Sequence, residues 1–101
     1  FKRLCGEARG AADYLALAQH FHTVFIVGIP QMGPEQRNEA ARFVTLIDAL
    51  YDYRVKLLAA ADAWPDDLYR AGDGRFEFER TASRLTEMLS DDWLDQGHGD
   101  A

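Results

Sequence analysis

Two arginines and two aspartates have the residue types and the spacing to do charge chemistry. Arg80 and Arg84 are four residues apart in the sequence, and so are Asp48 and Asp52. Residues four apart on a helix lie on one face, so each pair would place two like charges side by side at an energetic cost. Each pair therefore predicts a group of opposite charge nearby.

Two interpretations of the arginine pair stay open. In the first, Arg80 and Arg84 form an anion site, because a planar guanidinium can hold a phosphate group through two parallel hydrogen bonds. In the second, the arginines hold helices together by pairing with carboxylates, either those of Asp48 and Asp52 or those of Glu77 and Glu87. The two interpretations do not exclude each other, and spacing alone does not show which arginine would face a phosphate.

Motifs that bind nucleotides or activate a nucleophile are absent from the sequence. It has no Gly-x-x-x-x-Gly-Lys-Ser/Thr loop, no Gly-x-Gly-x-x-Gly turn, no nucleophile elbow and no His-Glu-x-x-His. His20 and His22 are two residues apart near a helix end, so they do not predict a metal site. Cys5 is the only cysteine, which excludes an internal disulfide and favours a reducing compartment. We expect neither a metal nor a cofactor to bind this chain alone.

Composition indicates one small globular domain. The 101 residues are 48% hydrophobic and carry 11 basic and 17 acidic side chains, a net charge of −6. No cluster of lysines and arginines interleaved with aromatics offsets that charge, so no nucleic-acid partner is expected. The longest apolar runs are much shorter than the ~20 residues that span a bilayer, so no transmembrane segment is predicted.

Hydrophobic periodicity predicts an α/β fold. The patterns indicate helices over 11–20, 34–53 and 78–90, strands over 23–27 and 55–60, and a helical turn over 65–69. In the long helix, Phe43, Ile47 and Leu50 belong to the apolar stripe and are predicted core residues. A strand, a crossover helix and a strand joined by about 27 residues suffice for a parallel βαβ unit with short strands and flanking helices. Residues 95–101 lack apolar periodicity and are predicted to be a disordered tail.

Four stretches of the sequence, in this order, resemble the ZapE family of AAA+ ATPases. They are GAADYLALA at 10–18, FHTVFI at 21–26, RNEAARFVTLIDALYD at 37–52 and FEFERTASRLTEM at 76–88. The resemblance covers about residues 1–94 and is to the C-terminal third of these bacterial cell-division proteins and of their mitochondrial AFG-type relatives. Two departures are Glu7-Ala8-Arg9, where a Pro-Leu is expected, and Ala41, where an arginine is more usual; the second leaves Arg42 alone.

The resemblance implies that residues 1–94 supply a βαβ unit to a P-loop AAA+ core whose Walker A and Walker B motifs lie upstream of Phe1, in a longer parent protein. The parent would use ATP and Mg²⁺, whereas this chain alone would bind neither. In AAA+ rings an arginine reaches the ATP γ-phosphate, which implies Arg80 and Arg84 as the candidate catalytic residues.

The resemblance also implies partners and a location. The parent would form a homo-oligomer, associate with a division-ring protein and work in the bacterial cytoplasm beside the inner membrane, although mitochondrial relatives exist. The alternative function is a non-catalytic module for partner binding or oligomerisation. In that module Asp48 and Asp52 would pair with the two arginines for packing only.

Overall fold

The computed structural model describes Cys5 and residues 10–90. Its elements in chain order are helix α1 (Ala11–His20), strand β1 (Thr23–Ile29), a 3-10 turn (Pro34–Gln36), helix α2 (Arg37–Asp52), strand β2 (Lys56–Ala61), a second 3-10 turn (Pro65–Asp67) and helix α3 (Arg75–Met88). The two strands pair in parallel, with α2 as the crossover between them. The predicted α/β class, the parallel strands and the flanking helices are confirmed. The tail predicted at 95–101 lies outside the described residues.

Helix α3 begins earlier than its apolar stripe predicts. The stripe starts at Phe78, whereas the helix starts at Arg75. The first turn is exposed, and its apolar residue, Phe76, lies two positions before Phe78 and therefore off the stripe. Gly74, in the left-handed region at φ 84°, forms the N-cap, and Glu77 in the first turn lies at the favourable end of the helix dipole.

Strand β1 continues two residues beyond its predicted end because it contains a bulge. Ile26 pairs with Ala59 and Ile29 with Ala61, so two residues of β1 oppose one residue of β2. Gly28 takes up the irregularity at φ 70°, a conformation that glycine adopts without steric penalty. As a result Ile29 is fully buried on the core side of the sheet, like Ile26.

The core lies between α2 and its neighbours. Phe43, Ile47 and Leu50 are each 0% exposed. The Phe43 ring stacks on Phe78 of α3 with centroids 5.9 Å apart, and the Tyr69 ring meets Phe78 at 5.5 Å. Full burial of an apolar side chain of this size contributes about 1.5–3 kcal/mol, so the stripe of α2 is a main source of stability.

The turn before α3 is fixed by a close approach at Gly72. The Tyr69 hydroxyl donates a hydrogen bond to the carbonyl of Asp73 at 2.6 Å and lies against Gly72. Gly72 has φ 123°, and a Cβ there would also lie 2.9 Å from the Cα of Pro34. Only glycine fits this position without moving the turn.

None of the described helices is long and apolar enough to cross a bilayer.

Candidate functional site

The predicted charged residues lie where α2 packs against α3. We call Asp48 and Tyr51 of α2, together with Arg80, Arg84 and Glu87 of α3, the interhelical cluster. The apolar stripes of the two helices form the core beneath it, and residues three or four positions apart on each helix share the face that meets the other helix. The cluster is therefore positioned by the packing of the two helices.

Arg84 is held by two groups of α2. Its Nη1 donates a hydrogen bond to Oδ1 of Asp48, and its guanidinium carbon lies 4.7 Å from the centre of the Tyr51 ring. The side chain of Arg84 is 28% exposed and that of Asp48 is 31% exposed. A cation this close to an aromatic face is attracted by the ring quadrupole, so the ion pair and the ring act together. These contacts fix the guanidinium of Arg84.

Arg80 is held much less firmly. Its Nη2 lies 3.9 Å from Oδ2 of the same Asp48, and its side chain is 60% exposed. An exposed ion pair at that distance contributes about 0–1 kcal/mol. One carboxylate thus contacts both arginines, and the side chain of Arg80 keeps most of its surface in solvent.

Tyr51 and Glu87 complete the cluster. The Tyr51 hydroxyl donates a hydrogen bond to Oε1 of Glu87 at 3.0 Å. This hydrogen bond raises the pKa of Tyr51 above its usual value, because the neutral hydroxyl is the donor; burial and the negative charge of Glu87 act in the same direction. The sequence analysis did not single out Tyr51, although a tyrosine hydroxyl beside the apolar stripe of α2 needs a polar partner.

The pairing predicted for Asp52 is not observed. Among the residues that the structure describes, neither Asp52 nor Glu77 forms an ion pair with Arg80 or Arg84. Asp52 is the last residue of α2 and is exposed. Near the C-terminal end of α2, the residue that α3 contributes to the interface is Glu87, whose carboxylate accepts a hydrogen bond from Tyr51. Glu87 is an acid, so it cannot form an ion pair with Asp52.

Arg42, which follows the alanine that stands at position 41 where the ZapE family more often has arginine, has a structural contact. Its Nη1 donates a hydrogen bond to the carbonyl of Cys5 at 2.9 Å. Burial raises the pKa of the Cys5 thiol to about 11, so the thiol is protonated near neutral pH. Arg42 thereby connects α2 to Cys5.

A separate groove of about 510 Å³ lies at the carboxyl ends of the two strands. Its lining is mostly apolar and consists of Ile29, Ala59, Ala60, Ala61, Asp62, Ala63, Trp64, Pro65, Leu68, Leu85 and Leu89. Ligands of open α/β sheets commonly bind at this end of the strands. Neither Arg80 nor Arg84 lines the groove, so it is distinct from the interhelical cluster.

The chemistry that a nucleotide site would need can be compared with the residues that the structure describes. The guanidinium of Arg80 has the chemistry to bind a phosphate oxygen. The sequence has no phosphate-binding loop. Within the described part of the chain, which includes His20 and His22, no three acids, histidines or cysteines are grouped to hold a metal ion.

Comparisons with known proteins identify the family of the chain. The family model of the AFG1-like ATPases matches residues 1–97. Cell division protein ZapE of Escherichia coli K12 is 40% identical over 98 residues, which are 97% of this chain and 26% of that protein. No solved structure matches the chain significantly.

Two eukaryotic relatives are more distant. Uncharacterized protein C115.02c of Schizosaccharomyces pombe is 32% identical, covering 93% of this chain and 27% of that protein. Lactation elevated protein 1 homolog B of Danio rerio is 31% identical, covering 96% of this chain and 26% of that protein. The chain thus spans about a quarter of the length of these relatives. The predicted resemblance is confirmed, and the chain belongs to the AFG1-like ATPase family.

Proposed function

We propose that residues 1–94 are the C-terminal segment of an AAA+ ATPase of the ZapE type. The support is the family match over residues 1–97 and the 40% identity to a cell division protein. The parent protein would hydrolyse ATP with Mg²⁺, and its phosphate-binding loop would come from outside this chain. By the same similarity it would work in the bacterial cytoplasm beside the inner membrane, as a homo-oligomer that associates with a division-ring protein.

Within that parent we assign Arg80 as the residue that contacts phosphate. The observation that carries this assignment is the exposed side chain of Arg80, whose guanidinium is held by one weak 3.9 Å ion pair beside the fixed pair of Arg84 and Asp48. A phosphate contact needs N–H donors that face solvent, and giving up an exposed ion pair costs only about 0–1 kcal/mol. Positive charge placed at a transferring phosphoryl group stabilises the transition state.

Arg84 has a different role in this proposal. Its guanidinium is already bound by Asp48 and covered by the Tyr51 ring, so it is a positioning residue. It fixes α3 on α2 and keeps the carboxylate of Asp48 beside Arg80. In this proposal Arg80, the more exposed arginine of the pair, is therefore the one that faces the nucleotide.

The second candidate function is a partner-binding or oligomerisation module without catalysis. It is favoured by the mutual contacts of Asp48, Tyr51, Arg84 and Glu87, which satisfy one another without any ligand. In that case the ion pairs of both arginines serve helix packing only, with Arg84 contributing most of the stability and Arg80 little.

The test compares Arg80→Ala and Arg84→Ala in the full-length parent, with Arg75→Ala as the control from the exposed first turn of the same helix. We expect Arg80→Ala to lower ATP turnover about a hundredfold or more, on the scale of a lost arginine finger, with the melting temperature nearly unchanged. Arg84→Ala should lower stability by ~1–3 kcal/mol, because Asp48 loses its main partner. Unchanged turnover per folded molecule in Arg80→Ala would leave only the packing role.

A further inference from the structure

One face of the two-stranded sheet carries three large apolar side chains that are about half exposed or more. Phe25 is 71% exposed, Val27 65% and Leu58 46%. Phe25 and Leu58 are register partners on the paired strands, so their side chains adjoin. We call Phe25, Val27 and Leu58 the outer sheet face. The alternating residues Val24 and Ile26 point to the other side and are buried in the core.

A parallel sheet is normally covered by helices on both faces, because the crossover connections place them there. Here α2 is the crossover between the two strands. Of the other described helices, α1 and α3 pack mainly against α2, so neither is left to cover the opposite face. The cover of the outer sheet face must therefore come from beyond the described residues.

We propose that the outer sheet face docks an apolar segment of the parent polypeptide that lies outside these 101 residues. This inference rests on the proposed function, because it requires a longer parent. The chain matches 26% of the length of the Escherichia coli relative, so about three quarters of a protein of that length is available to supply the segment.

The size of the patch favours this occupant over a second copy of the chain. Three side chains of this kind expose roughly 300 Å² together, since even an aromatic residue buries only ~150–250 Å². A stable interface between separate molecules needs ~800 Å² on each side. A segment of the same polypeptide avoids most of the translational and rotational entropy loss of association, so a small apolar patch is enough to hold it.

The test measures how fast a thiol on this face reacts with a maleimide in the full-length parent. Phe25→Cys places the thiol on the outer sheet face, and Phe76→Cys is the matched control, because Phe76 is 68% exposed on the first turn of α3. Wild-type parent gives the background of its native cysteines, to which Cys5 adds little because it is fully buried. We expect the Phe25→Cys variant to react at least about tenfold more slowly than the Phe76→Cys variant in native buffer, and equally fast in denaturant.

Three results would overturn the proposal. The first is equal native rates for the two variants. The second is protection that disappears on dilution, which would assign the cover to a second copy. The third is protection that disappears when residues 91–101 and anything after them are removed, which would assign it to the end of this chain. Should Phe25→Cys fail to fold, Leu58→Cys on the paired strand gives the same measurement. Labelling does not depend on ATP turnover. If Arg80→Ala left turnover unchanged, the proposed role of Arg80 would fail while the labelling result would still stand.

Discussion

The Tyr51 hydroxyl on α2 and the Glu87 carboxylate on α3 form a hydrogen bond of 3.0 Å between the two helices. The same Tyr51 ring lies under the guanidinium of Arg84, 4.7 Å from its central carbon. Tyr51 therefore contacts Glu87 through its hydroxyl and Arg84 through its ring. A phenylalanine at this position would keep the ring contact and lose only the hydroxyl contact.

We predict that Tyr51 titrates above the usual tyrosine value of about 10. Its raised pKa means that the folded state favours the neutral hydroxyl. The stabilisation is complete below the pKa of tyrosine in the unfolded chain, and it is lost as the pH rises through the higher folded value. The difference in tyrosinate absorbance between the wild-type chain and Tyr51→Phe should show a late-titrating group, and Glu87→Gln should move it toward the usual value. A Tyr51 that titrates with the exposed tyrosines would contradict the hydrogen bond.

Ile47→Ala should destabilise the chain by roughly 2–5 kcal/mol, because the side chain is fully buried between α2 and its neighbours and its removal leaves a cavity. Denaturant unfolding followed by circular dichroism measures the change. Ala41→Ser, at an exposed position of the same helix, is the control and should stay within about 0.5 kcal/mol of wild type. A loss below about 1 kcal/mol for Ile47→Ala would mean that this face of α2 does not form the core.

Two glycines with positive φ should respond differently to alanine. At Gly28 an added Cβ meets nothing within 4 Å, so Gly28→Ala should cost only the backbone penalty of about 1–2 kcal/mol. At Gly72 the same backbone penalty is joined by a clash with the Tyr69 hydroxyl and the Cα of Pro34. Gly72→Ala should therefore cost more, and Tyr69→Phe, which frees space by losing the hydroxyl, should relieve part of the difference. Equal melting temperatures for the two alanine variants would contradict the close approach.

Isothermal titration of the 101-residue chain with Mg-ATP should give no measurable binding heat. The expectation follows from the missing phosphate-binding loop, whose backbone amides and lysine supply most of the contacts to the phosphates in P-loop proteins. The full-length parent, titrated under the same conditions, is the positive control. A dissociation constant in the low micromolar range for the chain alone would show that it carries a complete nucleotide site, contrary to the proposed division of roles.

The core of the fold could be predicted because burial leaves a direct trace in the sequence. Phe43, Ile47 and Leu50 repeat with the period of a helix, and the strands between turn residues are β-branched or apolar. The start of α3 left no such trace, since its first turn is exposed and Phe76 lies off the apolar stripe. Gly28 is ambiguous for a related reason: a glycine after an apolar run indicates the end of a strand as readily as a bulge within one.

The partners of the charged residues could be predicted only in part. Four-residue spacing places Asp48 and Asp52 on one face of α2, and Arg80 and Arg84 on one face of α3. Spacing does not show how far one helix is displaced along the other, and that displacement decides which acid meets which arginine. Packing of the core sets it, so Asp48 contacts both arginines and Asp52 contacts neither.

The bulge in β1 lets this strand lose one residue without a change of face. Strand residues alternate between two faces, and Val27 and Gly28 together oppose a single residue of β2, so removal of either one would leave a regular strand in which Ile29 still faces the core. The chain that follows, which leads through Met32 to α2, would still leave β1 from the same side of the sheet. We therefore expect some homologues to be one residue shorter at Val27 or Gly28 and to keep an apolar residue at the position of Ile29.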